Sequence, residues 1–525
     1  NLTHLYFSNL SGGMWNEYRC MMKYRTLILC GFIALKFLLQ VVLLNPAYEL
    51  HRDEFLHLDQ ANHLAWGFST IPPFTSWTSY LIDLLGGSVF WIKFFPALYG
   101  ALTIYMVWKT IEELEGTMFA LILGSTCVLL SALLRINTLY QPNSFDILCW
   151  TAVYYVILKY VKSRESSWLY WAAAIAAIGF LNKYNIVFLV LGMIPGLLLT
   201  PERRIFTRPA LYIAMGIGLA LILPNLVWQY QNSFPVFHHL RELADHHLIH
   251  VNRMDFLKTQ FIFYPGGILV LPFAFYALLF YAPYRPYRFF FWSFIFTMAI
   301  FMYFKAKDYY AIGVYPIYLA FGSAYLGELL NEGWKKFLKP LFLVFPVALF
   351  VPILQVAFPN KSPGYIAQHP ENYKKFGMLR WEDGKDHPIP QDFADMLGWK
   401  ELASKVDSVH STLSGATLVL CDNYGQAGAI NFYTQREIRA VSFHADYLYW
   451  FDLSKTYRNL IRVVHKEDAK GEFQEVSSLF HHSVVADSIT HTYARENGTK
   501  ILAFEDAKFD LRNRLMEEIE EEKKR

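Results

Sequence analysis

The chain has 525 residues, of which 54% are apolar, 18% aromatic and only 17% charged. That balance excludes an ordinary soluble protein of this size and suits hydrocarbon as solvent. A formal net charge of +3 with no long basic run leaves no electrostatic footprint for nucleic acid as a partner.

The sequence opens without Met, and residues 1–18 read as a polar leader or tag remnant ahead of Met21 and Met22, so residues 1–24 are set apart as a leader or cytoplasmic N-terminus. The apolar run that follows is too long for a signal-peptide core and lacks a small-residue cleavage site, so it stays as an anchor. Apolar windows fall at 25–44, 89–108, 117–134, 144–160, 168–181, 186–199, 209–228, 256–281, 289–304, 309–329 and 337–358, about eleven spans in all. Alternate short loops carry the cations: Lys23 with Arg25, Lys159 with Lys162, Arg203 with Arg204 and Arg208, Arg285 with Arg288, and Lys335 with Lys336. The positive-inside rule makes these loops cytoplasmic and places 45–88, 229–255 and everything after about 359 on the outer side.

Residues 25–359 therefore form a polytopic membrane domain that is mostly α, and 360–525 a second, extracytoplasmic unit of ordinary polarity. In that unit the apolar run 416–420, followed by Cys421-Asp422-Asn423-Tyr424-Gly425, predicts a strand then a turn. A helix over 391–407 and a charged tail from about 506 complete an expected small α/β domain. Cys20, Cys30, Cys127, Cys149 and Cys421 make no CxxC pair or Cys/His cluster and predict no disulfide framework. No internal repeat is visible, which argues against the inverted-repeat plan of many transporters.

The stretch 48–59, directly after the first span, carries Glu49, His51, Arg52, Asp53, Glu54, His57 and Asp59 at the outer membrane surface. Phe55, Leu58, Ala61, His63 or Leu64 and Trp66 then recur at helical spacing, predicting an amphipathic helix on the bilayer surface, with a second over 76–85. A lipid-linked substrate keeps its tail in hydrocarbon and its phosphate and sugar at headgroup level. Displacing a phosphate with an acceptor hydroxyl needs a carboxylate to take the proton and cations to hold the leaving group. Asp53 or Glu54 serves the first need and Arg52 the second, and the competing reading is a solvated loop turn.

The Asp53-Glu54 pair, Leu64-Ala65-Trp66-Gly67-Phe68 and Pro72-Pro73 resemble glycosyltransferase family 39. So do Phe94-Phe95-Pro96-Ala97-Leu98-Tyr99-Gly100-Ala101, Lys183-Tyr184-Asn185, Leu199-Thr200-Pro201-Glu202-Arg203-Arg204 and Leu223-Pro224-Asn225-Leu226-Val227-Trp228; together they cover about 25–330. That family includes protein O-mannosyltransferases and lipid A aminoarabinose transferases, multispanning enzymes of the GT-C fold in cell membranes, here a bacterial inner membrane. The resemblance implies a polyprenyl-phosphate-sugar donor, a lipid, glycan or protein acceptor, and contact with membrane lipids. It makes Asp53 the catalytic base and Glu54 its acidic neighbour. Asp146, in Gln141-Pro142-Asn143-Ser144-Phe145-Asp146, becomes the second acidic loop position. Lys183 becomes the ligand of the donor phosphate and Tyr184 a substrate contact.

The residues themselves allow two readings at several of these positions. Asp146 is a carboxylate at membrane depth, which points to a polar cavity, yet just inside Asn143 and Ser144 it also suits a helix N-terminus. Lys183 is an outward cation that suits a phosphate or an interfacial lysine that snorkels. Lys305 and Lys307 with Tyr309 and Tyr310 form a basic and aromatic cluster fit to clasp donor phosphate or sugar. The outer loop carries His238, His239, Arg241, Glu242, Asp245, His246, His247 and His250; His246 and His250 share a helical face, but no HExxH accompanies them, and Arg241 is the better phosphate ligand. No cofactor is implied with certainty; a divalent cation (Mg or Mn) on Asp53 and Asp146 is open, since some GT-C enzymes need one and others do not. Gly425 to Gly428 lack a GxGxxG or Walker pattern and read as a structural turn or an acceptor contact. A flippase or transporter of lipid-linked saccharides is the alternative function, and it has no need of an outer carboxylate loop.

Overall fold

The structure, a computed structural model, describes residues 12–237 and 252–524. Its first part is helical: α1 Gly12–Val42, α2 Arg52–Asp59, α3 Phe74–Leu84, α4 Val89–Glu113, α5 Met118–Leu129, α6 Ala132–Ile136, α7 Asn143–Ser163, α8 Ser167–Asn182, α9 Ile186–Leu198, α10 Pro209–Gln231, α11 Arg253–Phe263, α12 Gly267–Phe280, α13 Arg288–Tyr303, α14 Tyr315–Leu329 and α15 Lys339–Val356. By length and composition five of the described helices can cross a membrane alone: α1 from Arg19, α4, α7, α10, and α15 with the 3-10 turn before it. Each predicted apolar window falls on one or more of these helices, but not always as a single rod. The window at 256–281 is two helices, α11 and α12, bent by 102° around Tyr264-Pro265-Gly266, because Pro265 disfavours the helical conformation of the residue before it. The window at 117–134 breaks at Leu130 and Ser131, where Ser131 caps the short α6.

The helix bundle is held by one apolar core in which α7 is central: Trp150, Tyr154 and Leu158 are fully buried. Outer helices leave apolar side chains uncovered, such as Leu27 and Leu38 on α1, Ile213 and Leu219 on α10, and Leu341 and Val344 on α15. An apolar surface of that kind is stable against lipid rather than water.

The C-terminal part contains α16 Trp399–His410, β1 Thr417–Cys421, α17 Tyr424–Tyr433, β2 Ala440–Ser442, β3 Asn459–Val464, α18 Ala469–Ser477, β4 Phe480–Ser488, β5 Lys500–Ala507 and α19 Leu511–Lys524. The five strands form one sheet in the order β2-β1-β3-β5-β4, parallel across β2, β1 and β3 and antiparallel beyond. Strand side chains alternate between faces. Leu418, Leu420, Leu460, Val464, Leu502 and Phe504 pack on one side with Leu511 and Leu515 of α19. Val419, Cys421, Ile461, Val463, Ile501 and Ala503 pack on the other.

That second face shares its core with the loop after α1 and with the turn before α7: Leu50, Phe55, Leu56 and Ile82 of the first and Tyr140 of the second join Trp399, Val406, Ile430 and Tyr447 in the same cluster. The predicted surface helix after Asp53 therefore needs correcting. It ends at Asp59, continues as a 3-10 turn Gln60–His63, and turns its apolar face to the C-terminal unit instead of the bilayer. Phe55 is fully buried, its ring meeting those of Trp399, Phe432 and Tyr433 at centroid distances of 5.7, 5.8 and 5.7 Å. The predicted helix over 391–407 begins later, at Trp399, after a short turn Gln391–Ala394.

Candidate active site

The site starts at the N-terminus of α2. His51 caps the helix by accepting from the Asp53 amide, while the Glu54 carboxylate accepts from the His51 amide at 2.7 Å, a reciprocal capping box. These two bonds fix where the neighbouring acids point. Glu54 turns inward and is fully buried, taking the Lys93 ammonium at 2.6 and 2.7 Å and the Tyr140 amide at 2.6 Å. Its four incoming hydrogen bonds make it a structural anchor joining α2, α4 and the loop before α7. Removing one member of such a buried pair costs on the order of 3–5 kcal/mol.

Asp53 turns the other way, and its side chain keeps 37% exposure. One oxygen accepts from the Tyr424 hydroxyl at 2.7 Å and the other from the Gln141 side-chain amide at 3.1 Å. Burial alone pushes this carboxyl up. His51, Arg52 and the Tyr424 hydroxyl outweigh it, so Asp53 sits below the usual carboxylate range and is ionised at neutral pH. Arg52 lies with its guanidinium 4.8 Å from the Tyr424 ring and its Nε 3.9 Å from Asp53.

From Asp53 a chain of side chains leads to Lys183. Gln141 donates to Asp53, its carbonyl accepts from Asn143 at 3.0 Å, and the Asn143 carbonyl accepts from the Lys183 ammonium at 2.8 Å. The directions agree throughout: amide nitrogens face the carboxylate and amide oxygens face the cation. Asn182 fixes the middle of this path by donating to the Pro142 carbonyl at 2.8 Å. The Lys183 ammonium stands 4.4 Å from the Tyr310 ring centre and 5.2 Å from that of Tyr309, contacts that hold a cation where water is scarce. Burial lowers Lys183 to about 8, Asp146 opposes that shift and Lys307 adds to it.

The other sequence candidates divide into four groups. Asp146 is buried beside this path, accepting from Trp150 at 3.1 Å and from Asn185 at 2.9 Å, and Asn185 also donates to the Tyr310 carbonyl. It thus braces the loops that carry Lys183 and Tyr310. The ammonium groups of Lys305 and Lys307 have no hydrogen-bond or ion-pair partner among the described residues, and Lys307 is near enough to Lys183 to depress it. Tyr184 faces away toward α10, bonded to Asn225 and Gln229 at 3.1 and 2.9 Å. Arg241 and the histidines at 238, 239, 246, 247 and 250, with Glu242 and Asp245, lie outside the described residues.

Among the described residues no group of three or more His, Cys, Asp or Glu side chains could hold a metal ion. Lys93, Gln141, Asn143 and Tyr424 were not singled out by sequence. A signal existed for two of them, the Gln141-Pro142-Asn143 turn ahead of a span; for Tyr424 nothing local pointed to a partner 371 residues away.

A family model described as dolichyl-phosphate-mannose-protein mannosyltransferase matches residues 70–228. That stretch holds Gln141, Asn143, Asp146 and Lys183. Over that stretch, less than a third of its length, the chain is similar to this family of membrane glycosyltransferases. The curated lipid A galacturonosyltransferase RgtD of Rhizobium johnstonii is 27% identical over 269 residues, 50% of this chain and 54% of that protein. The chain thus matches about half the length of this curated relative. ArnT from Cupriavidus metallidurans bound to undecaprenyl phosphate superposes with a TM-score of 0.60 at 14% identity, over 90% of this chain and 97% of that one. Its apo form gives the same score at 13% identity over 91% and 98%. These two likenesses establish a shared fold that includes the C-terminal unit.

Proposed function

We propose that the chain transfers one sugar from a polyprenyl-phosphate donor to a hydroxyl of an acceptor on the outer side of a bacterial inner membrane. The observation that carries this reading is the hydrogen-bonded path from Asp53 to Lys183. It joins an ionised carboxylate to a partly buried ammonium across two amides, with Lys307 near its cationic end. A group-transfer site with an anionic leaving group needs this pairing of base and cation.

Asp53 takes the proton of the acceptor hydroxyl as its oxygen attacks the anomeric carbon. The bond from that carbon to the donor phosphate oxygen breaks, its electron pair stays on the phosphate, and Lys183 meets the added charge with Lys307 nearby. Direct displacement inverts the anomeric centre. Undecaprenyl phosphate in the ArnT relative supports the carrier class, and the name of the RgtD relative supports a lipid A-like saccharide lipid as acceptor. The reading carries about eleven membrane crossings, with the α/β unit on the outer side.

The test uses purified full-length protein, with membranes from cells lacking the chain as the source of both substrates and mass spectrometry to follow product. Asp53→Asn is expected to abolish transfer while undecaprenyl phosphate still binds within about twofold. Full transfer by that variant removes Asp53 from the role, and translocation of an unmodified lipid without transfer would favour a flippase.

A further inference from the structure

The C-terminal unit reaches the base directly. β1 and β3 are parallel neighbours, and the chain leaves β1 toward β2 on one side and leaves β3 toward β4 and β5 on the other, so the ends of β1 and β3 form the switch point where open α/β sheets place functional loops. The loop after β1 is Asp422-Asn423, and α17 begins at Tyr424 with Asn423 as its cap, accepting from the Gln426 amide. This loop is held from its own side. Asp422 pairs with Arg462 at 2.9 Å, and Glu496 accepts from Gln426 at 2.7 Å and from Asn423 at 3.3 Å.

Close packing then aims Tyr424. A side chain at position 425 would meet the Arg52 Cβ at 3.2 Å, and one at 428 would meet the Phe55 Cβ and the Tyr447 hydroxyl at 2.7 Å. Glycine at both positions lets α17 lie against α2, the helix that carries Asp53. The Tyr424 hydroxyl donates to the Asp53 oxygen opposite the one held by Gln141, and the Arg52 guanidinium covers the Tyr424 ring. The carboxylate is thus gripped from the membrane domain by one oxygen and from the C-terminal unit by the other.

We infer that Tyr424 is a positioning residue of the transfer site, holding Asp53 in the orientation from which it receives the acceptor's proton, so that the C-terminal unit completes the active site. The inference rests on Asp53 being the base, as proposed above. It also assigns a purpose to the Gly425 to Gly428 stretch, which is tight seating of one helix on another.

The test compares wild type, Tyr424→Phe and Asp53→Asn as full-length proteins, with membranes of cells lacking the chain as substrate source. Initial rate, undecaprenyl phosphate affinity and thermal midpoint are measured for each. Tyr424→Phe keeps the ring and loses only the hydroxyl, and misplacement of a reacting group lowers rates by about 10- to 100-fold. The expected result is a fall of that size at saturating substrate, with the affinity for undecaprenyl phosphate within twofold and the midpoint unchanged. A wild-type rate in Tyr424→Phe overturns the inference. A rate that falls only in step with the midpoint also overturns it, because the hydroxyl is then structural. If Asp53→Asn retains transfer, the base assignment itself fails; if Asp53→Asn is inactive while Tyr424→Phe is normal, only the present inference fails.

Discussion

The positive-inside pattern predicts an outer-side cation at Lys183, and the structure surrounds it with two tyrosine rings, Asn143 and Asp146. Burial brings its proton affinity down to about 8, so the ammonium is charged at pH 7 and titrates just above it. A bound phosphate stabilises the charged form and raises that value. Phosphate affinity from this group is therefore full below about pH 8 and declines as pH climbs from there toward the value in the complex. Binding of undecaprenyl phosphate to the full-length protein is expected to weaken between pH 8 and 10. Lys183→Arg, whose guanidinium stays charged, should flatten that decline even where its different shape lowers the affinity overall. An identical decline in both variants would assign it to another group. In the sequence Lys183 stands out as a cation against the positive-inside trend and Asp53 as part of an acidic stretch after the first span, while the roles expected of them come from the family resemblance. Glu54 was not separable from Asp53, since adjacent acids look alike until a capping box sends one inward to Lys93 and leaves the other facing the site.

At the level of elements, the junction between α2 and α17 decides whether the site is assembled. Adding a methyl group at 428 brings it to 2.7 Å from Phe55 and from the Tyr447 hydroxyl, closer than carbon atoms pack, so one helix must move. Overpacking of this kind costs about 1–3 kcal/mol. Gly428→Ala is expected to lower the thermal midpoint and the transfer rate together. Gly471→Ala, at a helical position with nothing within 4 Å, should leave the rate unchanged and hold or slightly raise the midpoint. Equal behaviour of the two variants would mean that the junction absorbs an added methyl group without losing the site. Apolar windows found the helices because hydrocarbon-facing segments leave a composition signal. The 102° bend in 256–281 and the short α6 were missed, because breaks set by Pro265 and Ser131 interrupt hydrophobic runs without lowering their hydrophobicity. The α2 face was assigned to the bilayer for a similar reason: an apolar stripe records burial and says nothing about what covers it.

At the scale of the whole molecule, the loop between α1 and α4 is the strap that couples the helix bundle to the α/β unit. Asp446 is buried and accepts from Gln60 at 2.8 Å, from the Ser69 amide and hydroxyl at 2.6 Å each, and from Thr70 at 3.1 Å. The same loop offers the Trp66 carbonyl to Asn225 of α10 at 2.7 Å, and Asn225 in turn accepts from Tyr184, next to Lys183. One carboxylate of the C-terminal unit is in this way linked, through a loop and a membrane helix, to the residue beside Lys183. Asp446→Ala leaves four donors without their acceptor, three of them beside solvent-accessible chain. Each donor that stays buried and unpaired costs about 1–3 kcal/mol, and water can reach the others. The strap should therefore loosen before the bundle does. Limited proteolysis of the full-length variant is expected to cut within 60–71 at protease levels that spare the wild type, while the helices around α7 stay protected. Undecaprenyl phosphate affinity should fall by a few-fold through the displaced Tyr184. If 60–71 resists cleavage as in the wild type and affinity is unchanged, the loop is held by its apolar contacts alone and the Asp446 bonds add nothing to the coupling.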